Sequence, residues 1–392
     1  MPDHLTLAPL HAGPAAANAP RLRVMIADDA IVVRGLFARW IEAEPDMALV
    51  ASLRNGREAI EQIERIRPDV VILDVDMPEM DGITALPQLL AKCPGVTVIM
   101  ASTLTRRNAE ISLRALSLGA TDYIPKPSTQ NDVGAAPEFR RELIEKIRQL
   151  GRRGHRPAGV AHGVAAPPLA PHAAPPVKPL HHYHAPHAPI ALRPPPITAP
   201  RVLLIGASTG GPQALNTLVT EIGAVIDRVP VLITQHMPPT FTAILAEHLG
   251  RLSKHRAREA VHGEEIVPGS IYIAPGSRHM TVAQRGPAPV IEISNGPPVH
   301  FCKPAVDPLF SSAAQVWGPR ALALVLTGMG HDGLAGAHDI VNAGGHVLAQ
   351  DETSSVVWGM PGQVALAGLA CAVLPLGDIA ARLNRLFAVE RA

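Results

Sequence analysis

The chain has 392 residues, with 35 lysines and arginines against 34 aspartates and glutamates, for a formal net charge of +1. That length holds two full-sized cores plus connecting chain, and the balanced charge gives no electrostatic footprint for nucleic acid or an anionic membrane surface. Cys93, Cys302 and Cys371 are odd in number and far apart, which argues against a disulfide framework and for a reducing compartment.

Residues 1–20 are rich in Ala and Pro, lack a basic signal-peptide start, and carry an acid at Asp3. They are expected to be a disordered extension. No apolar run approaches the roughly 18 residues of a membrane span, so a cytoplasmic protein without membrane insertion is expected. From Arg21 short apolar runs (Leu22–Ala27, Leu49–Leu53, Val70–Leu73, Val96–Met100, Tyr123–Ile124) alternate with helix-period segments such as Ile31–Glu44 and Ala59–Ile66. The alternation predicts a five-stranded parallel sheet, covered on both faces, over residues 21–150. Its last helix is expected from about Pro137 to Leu150, with Phe139, Leu143, Ile144, Ile147 and Leu150 on the apolar face.

Residues 151–200 contain no Asp or Glu, carry proline throughout, and cluster histidines at His181, His182, His184 and His187. Such a segment buries too little apolar surface to offset ordering, so it reads as a semi-extended linker rather than a metal site. From Arg201 strand-like runs alternate with helices again, predicting a second, larger, doubly wound α/β domain over residues 201–392.

Ligands of an open parallel sheet gather beyond the carboxyl ends of its strands. Asp28 and Asp29 follow the first predicted strand, Asp74 follows the third, Ser102 the fourth and Lys126 the fifth. Crowded carboxylates repel and need a cation, and an oxygen-loving Mg²⁺ suits this ligand set. The ion would also neutralise an incoming phosphoryl group, leaving Asp74 free to attack phosphorus. Each acid alone would read as a helix cap or a strand end; the whole constellation is harder to explain that way.

The segment resembles the receiver domain of response regulators over residues 21–150. The resemblance is carried by Asp28-Asp29, the run Leu73 to Gly82, Ser102 and Lys126-Pro127. It implies a flavodoxin-like fold with Asp74 phosphorylated. It also implies Mg²⁺ held by Asp29, Asp74 and the backbone carbonyl of Asp76, Asp28 acting through water, and Ser102 and Tyr123 as the switch pair.

In the second domain, Val202-Leu203-Leu204-Ile205 runs into Gly206-Ala207-Ser208-Thr209-Gly210, a G-x-S-x-G pattern between strand and helix. Small neighbours tighten such a turn and expose the hydroxyl, and the helix start offers N–H groups to a developing anion. A nucleotide loop is the competitor, but the spacing is not G-x-G-x-x-G and the next strand ends in Thr234-Gln235-His236, with no acid for a ribose. A serine nucleophile needs a base oriented by an acid. His236 directly follows its strand, whereas His346 precedes its own and falls at the wrong edge. For the acid, Asp332 after Ala321–Leu326 is preferred and Asp351 is the runner-up.

The order Ser208…His236…Asp332 departs from ordinary α/β-hydrolases, where the acid precedes the histidine. It resembles instead the chemotaxis protein-glutamate methylesterase/glutaminase family. The carriers are Ile205 to Pro212, Gln235 to Pro239, Ala274-Pro275-Gly276, Arg278-His279-Met280, Thr327 to Gly333 and Trp358 to Pro361. That resemblance implies Ser208, His236 and Asp332 as the triad, with the Met329 N–H helping to hold the oxyanion. The implied substrates are methylated glutamates and some glutamines on chemoreceptor signalling helices, the implied phosphodonor is a chemotaxis histidine kinase, and the ester step needs no cofactor. The rival reading is a phosphorylation-controlled binding protein with a silent hydrolase domain; an intact triad argues against it.

Overall fold

The computed structural model describes residues 20–126, 136–152 and 190–388. The predicted N-terminal extension and most of the predicted linker, residues 1–19 and 153–189, lie outside the described residues.

The first sheet consists of β1 (Leu22–Ala27), β2 (Met47–Leu53), β3 (Val70–Asp74), β4 (Thr97–Ser102) and β5 (Asp122–Pro125), parallel in the order β2-β1-β3-β4-β5. Every residue of β3 and β4 is buried, as continuous apolar runs in a sheet covered on both faces must be. The covering helices are α1 (Ile31–Glu42), α2 (Gly56–Ile66), α3 (Gly82–Lys92), α4 (Arg106–Ser117) and α5 (Ala136–Gly151). Asn55, Asp81 and Thr105 start α2, α3 and α4 by accepting the N–H of Glu58, Thr84 and Asn108. On α5 the five expected apolar positions are all buried.

The second sheet has seven parallel strands: β6 (Val202–Ala207), β7 (Val231–Gln235), β8 (Arg256–Glu259), β9 (Ser270–Ile273), β12 (Ala321–Val325), β13 (His346–Gln350) and β14 (Ala370–Leu374). Their order is β14-β13-β12-β6-β7-β9-β8, and an antiparallel hairpin of β10 (His279–Arg285) and β11 (Ala288–Ser294) stands apart. The helices are α6 (Gly211–Glu221), α7 (Gly223–Ile226), α8 (Phe241–Ser253), α9 (Val306–Trp317), α10 (Leu334–Asn342), α11 (Met360–Leu366) and α12 (Leu376–Ala388). From β6 the chain winds outward to β7 and the edge strand β8 before β9 fills the place between them, and from β12 it winds the other way through β13 and β14. The winding therefore reverses between β6 and β12, and the crevice that forms at such a reversal is where α/β sheets place ligands. Residues 190–200, the end of the predicted linker, run onto this sheet: the Arg193 N–H donates to the Ala370 carbonyl at 2.9 Å.

The two units meet along α4, β5 and α5 of the first. Tyr123 stacks on Phe241 at the start of α8, with centroids 4.8 Å apart and planes 9° from parallel. Arg106 holds both carboxylate oxygens of Glu247 at 2.8 Å, and Gln213 Nε2 reaches the carbonyls of Ala120 and Thr121 at 3.2 and 3.4 Å. The Arg141 guanidinium on α5 lies 3.6 Å from the ring centroid of Phe301. A cavity of about 320 Å³ remains between α4 and α8, lined by Glu110, Arg114, Glu247, His248 and Arg251 among others, so this interface is incompletely packed.

Candidate active site and phosphoacceptor pocket

At the carboxyl edge of the first sheet, Asp28 and Asp74 are buried and Asp29 is exposed. One oxygen from each lies within 4.8 Å of the others. Lys126 Nζ sits 2.7 Å from both Asp28 Oδ2 and Asp74 Oδ2. Burial raises the Asp74 carboxyl to about 6; Lys126 opposes the rise, and the charges of Asp28 and Asp29 add to it. An all-oxygen donor set with surplus negative charge fits a hard divalent cation, which would relieve that repulsion. The Asp76 carboxylate is turned to Asn108 Nδ2, 2.9 Å away, and stands outside the three-acid group. Ser102 Oγ is buried 3.0 Å from Ser112 Oγ. Tyr123, buried against Phe241, faces the other unit.

In the second unit, β12, β6 and β7 are neighbours, so the residues after them share one edge. Ser208 directly follows β6. Its backbone is fixed on three sides: Ser208 N–H donates to Thr327 O at 3.1 Å, and Ser208 O accepts from Gly211 N–H at 2.7 Å and Gln235 Nε2 at 2.9 Å. Both motif glycines are required. Gly210 adopts φ 76° at the N-cap of α6, and a Cβ on Gly206 would come within 2.5 Å of Val306 Cγ1.

His236 follows β7, and its Nε2 lies 2.7 Å from Asp332 Oδ2 in the loop after β12. The Asp332 carboxylate also accepts N–H groups from Val306 (2.6 Å), Asp307 (3.0 Å) and Gly333 (2.9 Å), the first two opening α9. Burial works against its charge, but the His236 ring and these donors outweigh it and hold the carboxyl below the usual range. For His236, burial favours the neutral ring, yet Cys302 and Asp332 together raise its pKa. No hydrogen bond joins Ser208 Oγ to the imidazole among the described residues, a contact that often closes only with substrate bound. The N–H of Met329 finds no acceptor among the described residues.

The runner-up acid is occupied elsewhere: Asp351 Oδ1 accepts Ser354 N–H and Oγ–H at 3.0 and 2.6 Å. His346 opens β13, at the opposite end of the strand from Gln350 and the loop beyond it. Sequence reasoning assigned no role to Gln235, to Thr327, whose Oγ1 donates to Thr209 O at 2.8 Å, or to Gln350, whose Oε1 takes the Thr327 N–H at 2.8 Å. Nor did it connect Cys302 to His236. The first two stand inside motifs that were legible; no local signal ties Gln350 or Cys302 to a serine far away in the chain.

The chain is similar to known proteins along most of its length. The family model described as CheB methylesterase matches residues 203–383, and the one described as response regulator receiver domain matches residues 24–137. A protein-glutamate methylesterase/protein-glutamine glutaminase of group 2 operon from Rhodopseudomonas palustris is 60% identical over 387 residues, covering 97% of this chain and 98% of its own. The corresponding protein of Bradyrhizobium diazoefficiens is 58% identical over 94% of this chain and 95% of its own. Among solved structures, the CheB methylesterase catalytic domain of Thermotoga maritima is 36% identical over 48% of this chain and 100% of that chain, with a TM-score of 0.47. A receiver domain followed by a CheB methylesterase domain, with such identity along nearly the whole length, places this chain in the family of protein-glutamate methylesterases/protein-glutamine glutaminases.

Proposed function

We propose that this chain is a phosphorylation-activated serine esterase and amidase, which demethylates glutamyl methyl esters and deamidates glutamines on chemoreceptor signalling helices during sensory adaptation. The observation that carries the reading is the placement of Ser208 and the bonded pair His236–Asp332 at the ends of three adjacent strands. Ser208 Oγ attacks the γ-carbonyl carbon. His236 Nδ1, the nitrogen left when Nε2 faces Asp332, takes the serine proton and then delivers it to departing methanol or ammonia. Asp332 fixes the ring and stabilises the imidazolium. The Met329 N–H and the start of α6 supply donors to the oxyanion. Water, activated by the same imidazole, releases the carboxylate and restores Ser208.

The control site is Asp74, phosphorylated by a chemotaxis histidine kinase in the cytoplasm. Asp29, Asp74 and the Asp76 carbonyl would hold Mg²⁺, with Asp28 acting through water. The ion supplies neutralisation of the phosphoryl oxygens. Lys126 shares that task, and Ser102 and Tyr123 respond to it. Acetyl phosphate should place one acid-labile phosphoryl group on Asp74, and Asp74→Asn should remove the label; a label retained in the variant overturns this assignment. Because the cation-free Asp74 carboxyl is raised to about 6, labelling at limiting Mg²⁺ should fall as pH drops through that value, and added Mg²⁺, which favours the ionised form, should move the fall to lower pH. Labelling that is flat well below this pH would show that Asp74 stays ionised there.

The function itself is tested by methanol release from radiolabelled, methylated receptor membranes, with and without the phosphodonor. Release that phosphodonor increases is expected. No release under either condition would overturn the reading.

A further inference from the structure

Beside the triad acid lies a second carboxylate that the reaction scheme does not use. Asp307, in the first turn of α9, is 6% exposed. One ligand atom each from His300, Asp307 and Asp332 lies within 4.8 Å of the others. The two acids brace each other's helices. Asp332 accepts the N–H groups of Val306 and Asp307 at the start of α9, while Asp307 Oδ1 accepts the Gly336 N–H at 2.7 Å in the first turn of α10. The other oxygen, Asp307 Oδ2, is 3.0 Å from His300 Nε2. Each carboxylate thus lies at the positive end of the other's helix, where N–H donors and the dipole favour negative charge. A carboxylate used only as a helix cap has no need of an imidazole as well.

We propose that Asp307, steadied by His300, is a positioning residue for Asp332 and through it for His236. The inference rests on the proposed hydrolytic function of the same site. Asp307 holds the start of α9 in register with α10, so that the donors gripping Asp332 stay aimed, and its charge adds to the field that favours the imidazolium. The charged and titratable groups around it are Asp332 from the loop after β12, His300 from the turn before α9, and His331, whose ring lies 4.2 Å from that of His300. Beyond Asp332 are His236 and Cys302. Burial and the Asp332 charge push the Asp307 carboxyl upward, against the pull of the Gly336 N–H and His300.

Asp307→Asn keeps an oxygen for the Gly336 N–H while removing the charge, and His300→Ala removes the ring that offsets it. In the full-length protein, Asp307→Asn should lower kcat on methylated receptor membranes about tenfold with KM little changed. Losing a nearby negative charge makes His236 easier to deprotonate, so the acid limb of kcat/KM should move to lower pH, by about half a unit for a partly screened pair. His300→Ala should move it to higher pH. Asp307→Ala should lose more activity than Asp307→Asn, because the cap is lost as well. The His236 imidazole titration, followed by NMR, should shift in the same directions and needs no substrate. NMR shifts of opposite sign in a chain that shows no hydrolysis would support the positioning role while removing the function reading. Unmoved titration and pH limbs in Asp307→Asn and His300→Ala, with activity intact or falling only in step with Tm, would overturn the inference and leave Asp307 a helix cap.

Discussion

Ser208→Ala is expected to abolish methyl-ester hydrolysis by about 10⁴-fold or more while leaving the fold and its Tm near the parent, measured as methanol release against thermal unfolding. The side chain stands half-buried on a turn whose geometry is set by backbone contacts to Thr327, Gly211 and Gln235, all of which alanine preserves. Loss of the nucleophile therefore separates from loss of structure. Asp332→Asn should be comparably damaging. An amide facing His236 Nε2 favours the wrong tautomer, and its NH₂ must turn toward N–H donors that now meet no anion. The control is Asp351→Asn: Asp351 bonds Ser354 within its own turn, so its variant should keep turnover near the parent. If Asp351→Asn abolishes turnover and Asp332→Asn does not, the acid has been misassigned.

Removing the receiver should raise activity on receptor membranes above that of the unphosphorylated full-length chain, and phosphorylation should bring the full-length chain towards the fragment. The contacts between the two units form a cover. Gln213, on the helix that begins just past Ser208, is tied to Ala120 and Thr121. Phe301, in the turn beside His300 and Cys302, lies under Arg141. Val357 joins the apolar cluster of the first unit, and Met329 packs against it. A bulky receptor helix needs that edge clear.

The cover is built to lift. Its ion pair Arg106–Glu247 is exposed on both sides and contributes little. The Tyr123–Phe241 stack adds about 1 kcal/mol beyond its area. Moving such a contact from mostly closed to mostly open takes about 5 kcal/mol, the shift that phosphorylation acting through the proposed switch pair, Ser102 and Tyr123, has to supply. The fragment should begin just ahead of Ile190, because residues 190–200 lie along β14 through Arg193 and would be stripped by a later start. Equal or lower activity of the fragment, at equal concentration on the same membranes, would exclude blocking and leave tethering or activation by contact.

Much of this molecule could be read without coordinates, because its two sites depend on residues immediately after strands. A run such as Val70–Leu73 or Val202–Ile205 announces a buried parallel strand, and the residue that ends it must lie at the carboxyl edge. Asp74, Ser208 and His236 follow from that rule, and Gly206 and Gly210 from the needs of a tight turn. Helix spans were legible to within a few residues: Ile31–Glu44 was expected for α1 and Ile31–Glu42 is observed. What the sequence by itself determined was therefore which residues stand at which edge. Tertiary structure alone decided the strand order that makes β12, β6 and β7 neighbours, and that of Asp332 and Asp351, which both follow strands, it is Asp332 that stands 2.7 Å from the His236 ring. It also decided that the start of α9 grips Asp332, that Cys302 comes close enough to raise the His236 pKa, and that Tyr123 meets Phe241. Those contacts join segments distant in the chain, and hydrophobic periodicity carries no information about which distant segments meet; only the packing of layers supplies it.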